Sequence, residues 1–407
     1  MNIVHISGGE LRIPVEKGGG HEAYVLNICR CLARAGHNAV ILDRKYSADD
    51  KDIEEIDGVK IVRLKARKFT TPNYNLTITL NQLSFARKVN KYLRKTEFEV
   101  IHIHVSITCL FLAMMSPDFR KKLFYTSHAT RRSKSSASLL DKMAIGLENR
   151  AVKYVHKAVV LNELVRKEFI EAGMKFENTE VLPMGTDTVI FNPDIDVEDI
   201  KNRYTLQSEV TVLFVGRVRA DKGVEYLVKA ADILINKSGY RNVEFILVGP
   251  TEEFGQTENL KSSYLEKVTR LIEDNSLQNK VRLTGAVTLD DLIKLYAACD
   301  IFVLPSLTEA APQAIAEAMS SGKPVIGSRV GSIPTQIVDG HSGFLIDPAD
   351  EKQLADKLKY LIDNPVERKR MGDCGRGIAT EQFDWQQVTE ALIKIYRTQP
   401  GVVVAQT

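Results

Sequence analysis

The stretch Ile301-Phe-Val-Leu-Pro-Ser-Leu-Thr-Glu-Ala-Ala-Pro-Gln-Ala-Ile-Ala-Glu317 joins a short apolar run to a helical pattern through a loop. The run Ile301–Leu304 predicts a buried strand, and Pro312 suits the first position of the helix that follows. Apolar β-branched runs alternate with helical periods in this way along the whole chain. The alternation predicts an α/β protein with doubly wound parallel sheets.

The length of 407 residues predicts two domains of about 200 residues each. The turn-rich stretch Pro183–Pro193 marks the seam between them. Ligands of such sheets bind at the carboxyl ends of the strands, so we expect the chemistry in a cleft between the domains. Strands are predicted at Asn2–Ser7, Asn38–Leu42, Val59–Leu64, Val100–His104, Lys122–Thr126, Ala158–Leu161, Glu180–Leu182, Thr211–Val215, Glu244–Val248, Val281–Thr284, Ile301–Leu304, Pro324–Gly327 and Gly343–Ile346, with helices such as Gly20–Ala35 and Leu80–Lys95 between them.

Positive charge is concentrated in the first half of the chain. Residues 1–187 hold 30 Lys and Arg against 21 Asp and Glu, a charge of +9, whereas the whole chain carries +3 and the remainder therefore −6. Ten of the basic residues and no acidic residue lie in Gly58–Lys95, and a second cluster lies in Arg120–Lys134. This asymmetry indicates an anionic partner, although ordinary solvated faces explain it equally well.

Several classes of protein do not fit this sequence. The five cysteines are scattered, and no His, Cys and Asp cluster has the spacing of metal ligands, so we predict no catalytic metal. The apolar run near Cys109–Met115 is too short to cross a membrane. The segment Met1–Ser7 is typical of a first strand and not of a signal peptide. We therefore expect a cytoplasmic protein, either soluble or peripheral on a membrane.

Two segments of the second half combine features of a phosphate and sugar site. Glu309 lies in the loop before a helix and Glu317 in its second turn, so two carboxylates flank a helix N-terminus that can hold an anion. The segment Phe214-Val-Gly-Arg-Val-Arg-Ala-Asp-Lys-Gly223 places three cations after a strand, where arginine matches phosphate geometry. Taken singly, a capped surface helix and a solvated loop explain these spacings as well.

Two weaker signals lie in the first half. Lys17-Gly-Gly-Gly-His-Glu22 places glycines before a helix, where backbone can approach a phosphate, but it matches neither common nucleotide fingerprint. His128 ends a predicted strand, and a lone histidine is more often structural than functional. His102 and His104 alternate along another strand, which indicates a core or supporting position.

In this order, these segments resemble glycosyltransferase family 4, the large retaining group one family. The resemblance covers nearly the whole chain. It includes the glycine loop, Thr126-Ser-His128, Leu182-Pro-Met-Gly-Thr-Asp187, Gly216-Arg-Val-Arg-Ala-Asp-Lys-Gly223, the two glutamates, Glu317-Ala-Met-Ser-Ser-Gly-Lys-Pro-Val325 and Gly331-Ser-Ile-Pro334. It implies the GT-B fold, in which two Rossmann-like domains face each other across a cleft. We divide the chain into 1–187, completed by a C-terminal helix in 384–400, and 188–383.

The resemblance also implies roles for individual residues. Arg217 and Lys222 would hold the donor diphosphate, and Glu317 the ribose hydroxyls. Glu309, with the main-chain N–H groups of Gln313 and Ala314, would bind the transferred sugar. The remaining assignments are Gly19 and Gly20 near the phosphate and His128 near the reacting centre.

Two positions depart from the family pattern. Pro312 stands where many relatives have glycine, and Met184 where asparagine is common.

The family implies a transferase that uses a nucleoside-diphosphate sugar as co-substrate, with no cofactor and no metal. Its acceptor would be a glycan or lipid-linked molecule, as in polysaccharide or glycolipid synthesis, and an anionic membrane surface would explain the basic segments. A retaining glycoside hydrolase with Glu309 and Glu317 as its pair is disfavoured by the cationic loop. A nucleotide-sugar epimerase stays open. A nucleic-acid-binding protein is disfavoured because no binding motif is present.

Overall fold

The computed structural model of the chain describes residues 1–8, 11–14, 20–128, 139–251 and 258–399. These residues form two compact units. Unit 1 comprises Met1–Met184 and the segment from Trp385 onward, and unit 2 comprises Gly185–Asp384. The first boundary, after Met184, lies three residues before the predicted one at residue 187. The second, after Asp384, lies one residue after the predicted one at residue 383.

The described chain alternates strands and helices as the sequence pattern predicts. Its strands are β1 (Asn2–Ile6), β2 (Asn38–Arg44), β3 (Ile53–Ile56), β4 (Val59–Leu64), β5 (Val100–Ile103), β6 (Leu123–Ser127), β7 (Lys157–Val160), β8 (Thr179–Val181), β9 (Val210–Val215), β10 (Val243–Val248), β11 (Val281–Gly285), β12 (Ile301–Leu304), β13 (Val325–Ser328) and β14 (Gly343–Ile346). Its helices are α1 (Gly20–Arg34), α2 (Tyr74–Leu93), α3 (Ser106–Met115), α4 (Leu139–Val152), α5 (Glu163–Glu171), α6 (Glu198–Arg203), α7 (Val224–Asp232), α8 (Glu258–Asp274), α9 (Leu289–Ala298), α10 (Gln313–Ser320), α11 (Ile333–Gln336), α12 (Glu351–Asp363), α13 (Pro365–Ile378) and α14 (Trp385–Tyr396).

Unit 1 contains an eight-stranded sheet in the order β3-β4-β2-β1-β5-β6-β7-β8. All neighbouring strands pair in parallel except β3, which runs antiparallel to β4 at the edge. The strand order reverses between β1 and β5, so a crevice opens there at the carboxyl ends of the strands. Helix α14 packs against α1 and therefore belongs to this unit although it follows unit 2 in the sequence.

Two features of unit 1 differ from the sequence-based expectation. Strand β3 was not predicted, yet Asp57 and Gly58 both have positive φ angles of 50° and 78° and form the tight turn into β4. An Asp-Gly pair between apolar runs is the usual signature of such a hairpin. Helix α2 begins at Tyr74 and not at Leu80, because the Asn73 side chain accepts a hydrogen bond from Leu76 N and caps an earlier start.

Unit 2 contains a six-stranded, wholly parallel sheet in the order β11-β10-β9-β12-β13-β14. Its strands are almost entirely buried and pack under helices on both faces, which explains their continuous apolar character. The strand order reverses between β9 and β12, which pair through Ile301 with Val212 and Phe302 with Leu213. The loops after these two strands therefore lie together at the crevice of this sheet.

Among the described helices, none combines the length and the apolar character that a membrane span requires.

Candidate active site

The crevice of unit 2 brings together the two segments that the sequence analysis selected. Strand β9 leads into the loop with Arg217 and Lys222, and β12 leads into the loop with Glu309. The Lys222 ammonium lies 2.5 Å from Oε1 of Glu309, and the Ser306 hydroxyl donates to the same oxygen at 2.9 Å. Glu309 is only 7% exposed. A cation and a carboxylate from loops 87 residues apart in sequence thus share one small buried site.

Close backbone contacts fix these two loops against each other. Gly223 has a φ angle of 66°, and a Cβ at this position would lie 2.0 Å from the carbonyl oxygen of Pro305. Leu307 N donates to the Asp221 carbonyl at 2.8 Å. Gly331 has a φ angle of 54°, and a Cβ there would lie 1.9 Å from the carbonyl oxygen of Glu309. Only glycine allows such approaches, so these residues position Lys222 and Glu309.

Helix α10 begins next to this pair. Its first residues are Gln313 and Ala314, whose N–H groups have no acceptor within a helix and can bind an anion. Pro312 lies one position earlier than the sequence suggests, as the N-cap, with φ −71° and ψ 114°. It provides no side-chain cap and no N–H, so the first available donors are those of Gln313 and Ala314.

Glu317 lies in the second turn of α10, partly buried. Its Oε2 accepts a hydrogen bond of 2.9 Å from the hydroxyl of Tyr296, a fully buried residue of α9. Burial raises the pKa of Glu317 from 4.5 to about 7, and the Tyr296 hydrogen bond partly opposes this rise. Neither Tyr296 nor Ser306 was predicted as a site residue, because neither has a signal in the linear spacing.

Arg217 differs from Lys222 in its surroundings. Its side chain is exposed, and within the described part of the chain it makes no ion pair. It is therefore available to an anionic ligand, whereas Lys222 already has a carboxylate partner. A lysine ammonium has three N–H donors, so Lys222 can contact Glu309 and a phosphate at the same time.

The predicted residues of the first half lie in unit 1. Gly20 is the first residue of α1, and a Cβ there would meet nothing within 4 Å. Gly19 lies outside the described residues. His128 directly follows β6, with its Nε2 3.0 Å from Nδ1 of His104 and its ring next to that of His21, at a centroid distance of 4.6 Å.

The sheet of unit 1 also creates a histidine cluster that the sequence spacing concealed. Ring nitrogens of His5, His102 and His104 lie within 4.8 Å of one another, a grouping of ligand-type residues that the linear spacing did not indicate. His5 and His102 face each other in the pairing of β1 with β5, and His104 follows two residues later on the same side. Distant strands of a parallel sheet can bring together ligand-type residues that no sequence spacing reveals.

A cavity of about 530 Å³ lies elsewhere in unit 2. It is lined by the end of α6 and the turn after it, by α8 and by β11, including Tyr204, Thr269 and Arg282. None of the predicted site residues contributes to it.

Two parallel-sheet units of this topology have the fold of the GT-B glycosyltransferases. The chain belongs to the glycosyltransferase family 4 group of these enzymes. The sequence model described as Glycosyltransferase Family 4 matches residues 18–189, and that described as Glycosyl transferases group 1 matches residues 196–396.

Individual relatives agree with this assignment. The chain is 24% identical to D-inositol 3-phosphate glycosyltransferase of Corynebacterium diphtheriae over 404 residues, which cover 95% of this chain and 92% of the relative. Sucrose-phosphate synthase from Thermosynechococcus elongatus has a similar structure, with a TM-score of 0.81, 22% identity and coverage of 98% and 99%. Anabaena HepE in complex with UDP-glucose superposes with a TM-score of 0.75, 21% identity and coverage of 98% and 100%.

We predict that Glu317→Gln changes how stability depends on pH. The native pKa, about 7, exceeds the ordinary value of 4.5, so between these pH values the native carboxyl keeps a proton that the unfolded chain has lost. The free energy of unfolding of the wild type should therefore fall as pH rises from about 4.5 to about 7, and stay low above it.

Urea unfolding at pH 4.5 and pH 8 tests this prediction. At about 1.4 kcal/mol per pKa unit, Glu317→Gln should be more stable than the wild type by up to about 3 kcal/mol at pH 8, and about equal to it at pH 4.5. Tyr296→Phe should enlarge the loss at pH 8, because it removes a hydrogen bond to the ionised carboxylate. The same difference between Glu317→Gln and the wild type at both pH values would contradict the prediction.

We further predict that Gly331→Ala impairs transferase activity by displacing Glu309. Gly340→Ala is the matched control: its φ angle of 75° imposes similar backbone strain, but a Cβ there meets nothing within 4 Å. Turnover should fall at least roughly 10-fold in Gly331→Ala, as expected when a hydrogen bond to a charged group is lost. Gly340→Ala should keep most of its activity. Equal effects would show that the contact with the Glu309 carbonyl does not matter.

Proposed function

We propose that this chain is a retaining, metal-independent hexosyltransferase that moves a sugar from a nucleoside-diphosphate sugar to a glycan or lipid-linked acceptor. The observation that carries the proposal is the contact between Lys222 and Glu309 beside the N-terminus of α10. A transferred sugar and its diphosphate need a carboxylate and a cation a few ångströms apart, and this site offers both.

Each group of the site has a place in donor binding. Arg217 and Lys222 neutralise the diphosphate, and the N–H groups of Gln313 and Ala314 add fixed donors. Glu309 accepts hydrogen bonds from hydroxyls of the transferred sugar, and Glu317 from those of the ribose. Gly20 allows the backbone of unit 1 to approach the phosphate, and His128 contacts the sugar near the reacting centre.

The reaction builds negative charge on the departing diphosphate. Cations and N–H groups that are already in position stabilise this charge as it forms, without reorganising during the reaction. Since the described residues of this site include no evident nucleophile, we propose that a phosphate oxygen of the leaving group accepts the proton of the acceptor hydroxyl on the same face of the sugar. Retention of the anomeric configuration follows from this geometry.

The names of the relatives support a nucleotide-sugar donor and a polar acceptor. HepE was solved with UDP-glucose, and the corynebacterial relative is named for D-inositol 3-phosphate. A UDP-sugar is therefore the first donor to test, with GDP- and ADP-sugars beside it. Slow hydrolysis of the donor without an acceptor identifies the nucleotide and the sugar before the acceptor is known.

We predict different kinetic effects for the two glutamates. Glu317→Ala should chiefly raise the KM for the donor, because it loses contacts that are the same in the ground state and the transition state. Glu309→Ala should lower kcat roughly 10- to 100-fold, because its hydrogen bonds to the reacting sugar matter most in the transition state. Donor hydrolysis and transfer rates measure both effects. Full activity in both variants would refute the site.

We predict that transfer survives EDTA, because Arg217 and Lys222 take the place of a divalent cation on the diphosphate. The measurement compares initial rates with EDTA, with Mg²⁺ and with Mn²⁺, and melting temperatures serve as the control for folding. A strict requirement for a divalent ion, without any change in melting, would show that the metal-independent assignment is wrong.

The basic segments of unit 1 support binding to an anionic membrane. Nine of the ten cations in Gly58–Lys95 are exposed, and the exception is Arg63, which is buried beside Glu54. Eight of the exposed ones fall into two groups, and the ninth, Lys60, lies within β4. Lys65, Arg67 and Lys68 follow β4 at the carboxyl edge of the sheet, whereas Arg87, Lys88 and Lys91 lie on the last turns of α2, with Arg94 and Lys95 directly after it, towards the opposite edge. Arg131, Arg132 and Lys134 lie outside the described residues.

We predict weak, salt-sensitive binding to vesicles that contain anionic lipid. Each basic side chain at such a surface contributes about 1 kcal/mol and is screened within a Debye length. Replacing Lys65, Arg67 and Lys68 by Gln should weaken sedimentation with these vesicles more than replacing Arg87, Lys88 and Lys91, because the first group shares the sheet edge with the strand ends where an acceptor binds. Equal sedimentation with neutral and anionic vesicles would contradict membrane binding.

A further inference from the structure

A continuous chain of hydrogen bonds crosses the core of unit 1 and ends at His128. Its steps are Thr126 Oγ1 to His102 Nε2 (2.7 Å), His102 Nδ1 to the Tyr396 hydroxyl (2.5 Å), this hydroxyl to His5 Nε2 (3.2 Å), His5 Nδ1 to His104 Nε2 (2.9 Å) and His104 Nδ1 to His128 Nε2 (3.0 Å). We call these six residues the histidine relay. It uses both ring nitrogens of three histidines.

The fold places the relay by simple register. His5 and His102 are opposite each other on β1 and β5, and His104 lies two residues beyond His102 on the same face. Tyr396 comes from α14, the helix that follows unit 2 in the sequence and packs onto unit 1. His5, His102 and Tyr396 have no exposed surface, and His104 is 3% exposed. Such a buried polar chain persists only if each group has a partner.

Burial keeps the relay histidines neutral. It lowers the pKa of His5 to about 3 and the pKa values of His102, His104 and His128 well below the ordinary 6.5. A neutral imidazole has one N–H donor and one acceptor nitrogen. When two relay histidines share a hydrogen bond, one nitrogen must donate and the other must accept. The tautomer of one histidine therefore fixes the tautomer of its partner.

Tyr396 joins the two halves of this chain. The structure gives its hydroxyl two partners, His102 and His5, and the hydroxyl has a single proton. It satisfies both partners when it donates to one and accepts from the other. The whole relay then runs in one direction, and His5, His102, His104 and His128 all carry their protons on the same type of nitrogen, either all Nδ1 or all Nε2.

We infer that Tyr396 is a positioning residue for His128, which it holds in one tautomer and one ring orientation through His5 and His104. The relay occupies Nε2 of His128 and so leaves Nδ1 as the nitrogen that can face a sugar hydroxyl. This inference rests on the proposed function, in which His128 contacts the transferred sugar. A histidine with a fixed tautomer offers the sugar a fixed donor or acceptor, whereas a mixture of tautomers would offer both.

A metal ion bound by His5, His102 and His104 is the competing interpretation of the same cluster. The hydrogen bonds argue against it, because each of the six ring nitrogens already has a partner. His5 and His104 lie edge to edge, with 2.9 Å between the bonded nitrogens and 5.2 Å between the ring centroids. These two nitrogens point at each other and not at a common third point, so a metal would have to break this hydrogen bond.

The experiment uses the full chain with ¹⁵N-labelled histidine. Long-range ¹H–¹⁵N spectra distinguish the Nδ1–H and Nε2–H tautomers, and the chain has only eight histidines to assign. In the wild type we expect one shared tautomer for His5, His102, His104 and His128. In Tyr396→Phe, which keeps the ring and removes the bridging hydroxyl, His128 should become a mixture or switch tautomer. Its kcat should fall roughly 5- to 20-fold, with the donor KM nearly unchanged.

Phe124→Leu is the matched control. Phe124 packs against the rings of Tyr396 and His102, at centroid distances of 4.9 Å and 6.3 Å, but donates and accepts no relay hydrogen bond. It should lower the melting temperature while leaving the tautomers and kcat as in the wild type. Thr126→Val removes the other end of the relay without touching Tyr396. It should alter the His102 tautomer, which keeps the inference testable if Tyr396→Phe folds poorly.

Several results would overturn the inference. They are different tautomers among the four histidines of the wild type, an unchanged kcat in Tyr396→Phe despite an altered tautomer, or equal losses of kcat in Tyr396→Phe and Phe124→Leu. Stoichiometric uptake of Zn²⁺ by EDTA-treated protein, abolished in His5→Gln, would replace the relay by a metal site. Full transfer by His128→Ala would instead contradict the role of His128 in the proposed function, even if the shared tautomer were found.

Discussion

Parallel pairing between strands that are distant in the sequence is the constraint on which this molecule depends. In each sheet the chain first adds strands on one side and then on the other. The loops after one pair of adjacent strands therefore start side by side and continue in opposite directions, which leaves a crevice between them. In unit 2 this pair is β9 and β12, and in unit 1 it is β1 and β5. Residues that bind ligands do not have to be close in the sequence, because the sheet register places their loops together.

The two carboxylates near α10 illustrate how burial and partners set the properties of a site. Glu309 has the Lys222 ammonium and the Ser306 hydroxyl as partners, so its charge is compensated within the site. Glu317 has the Tyr296 hydroxyl, which stabilises the carboxylate less than a cation would, and its pKa rises to about 7. Helix α10 and the loop before it thus present two chemically different carboxyl groups, one compensated by a cation and one held only by a hydroxyl.

Unit 1 has a polar interior at the point where its strand order reverses. Burying several imidazoles destabilises the fold unless every nitrogen is hydrogen-bonded. Apolar side chains in the same space would need no such partners. In the described structure His5, His102 and His104 meet this requirement, and Tyr396 of α14 is the partner of two of them. A polar network of this kind is more sensitive to small displacements than an apolar core, since one missing partner leaves the next one unsatisfied. This sensitivity is a reason to expect that a change in the network alters His128, the proposed site residue at its end.

The sequence by itself determined the class of the fold, because apolar periodicity reports which faces are buried. It also indicated Arg217, Lys222, Glu309, Glu317 and His128, since these follow strands or begin helices in recognisable motifs. It did not indicate β3, whose Asp57-Gly58 turn was overlooked, or the early start of α2 that Asn73 caps.

Only the tertiary structure brought Lys222 to Glu309, Tyr296 to Glu317, and Tyr396 to His5 and His102. Linear spacing records neighbours along one strand or helix. Contacts between elements depend on sheet order and register, which arise from the packing of the whole chain.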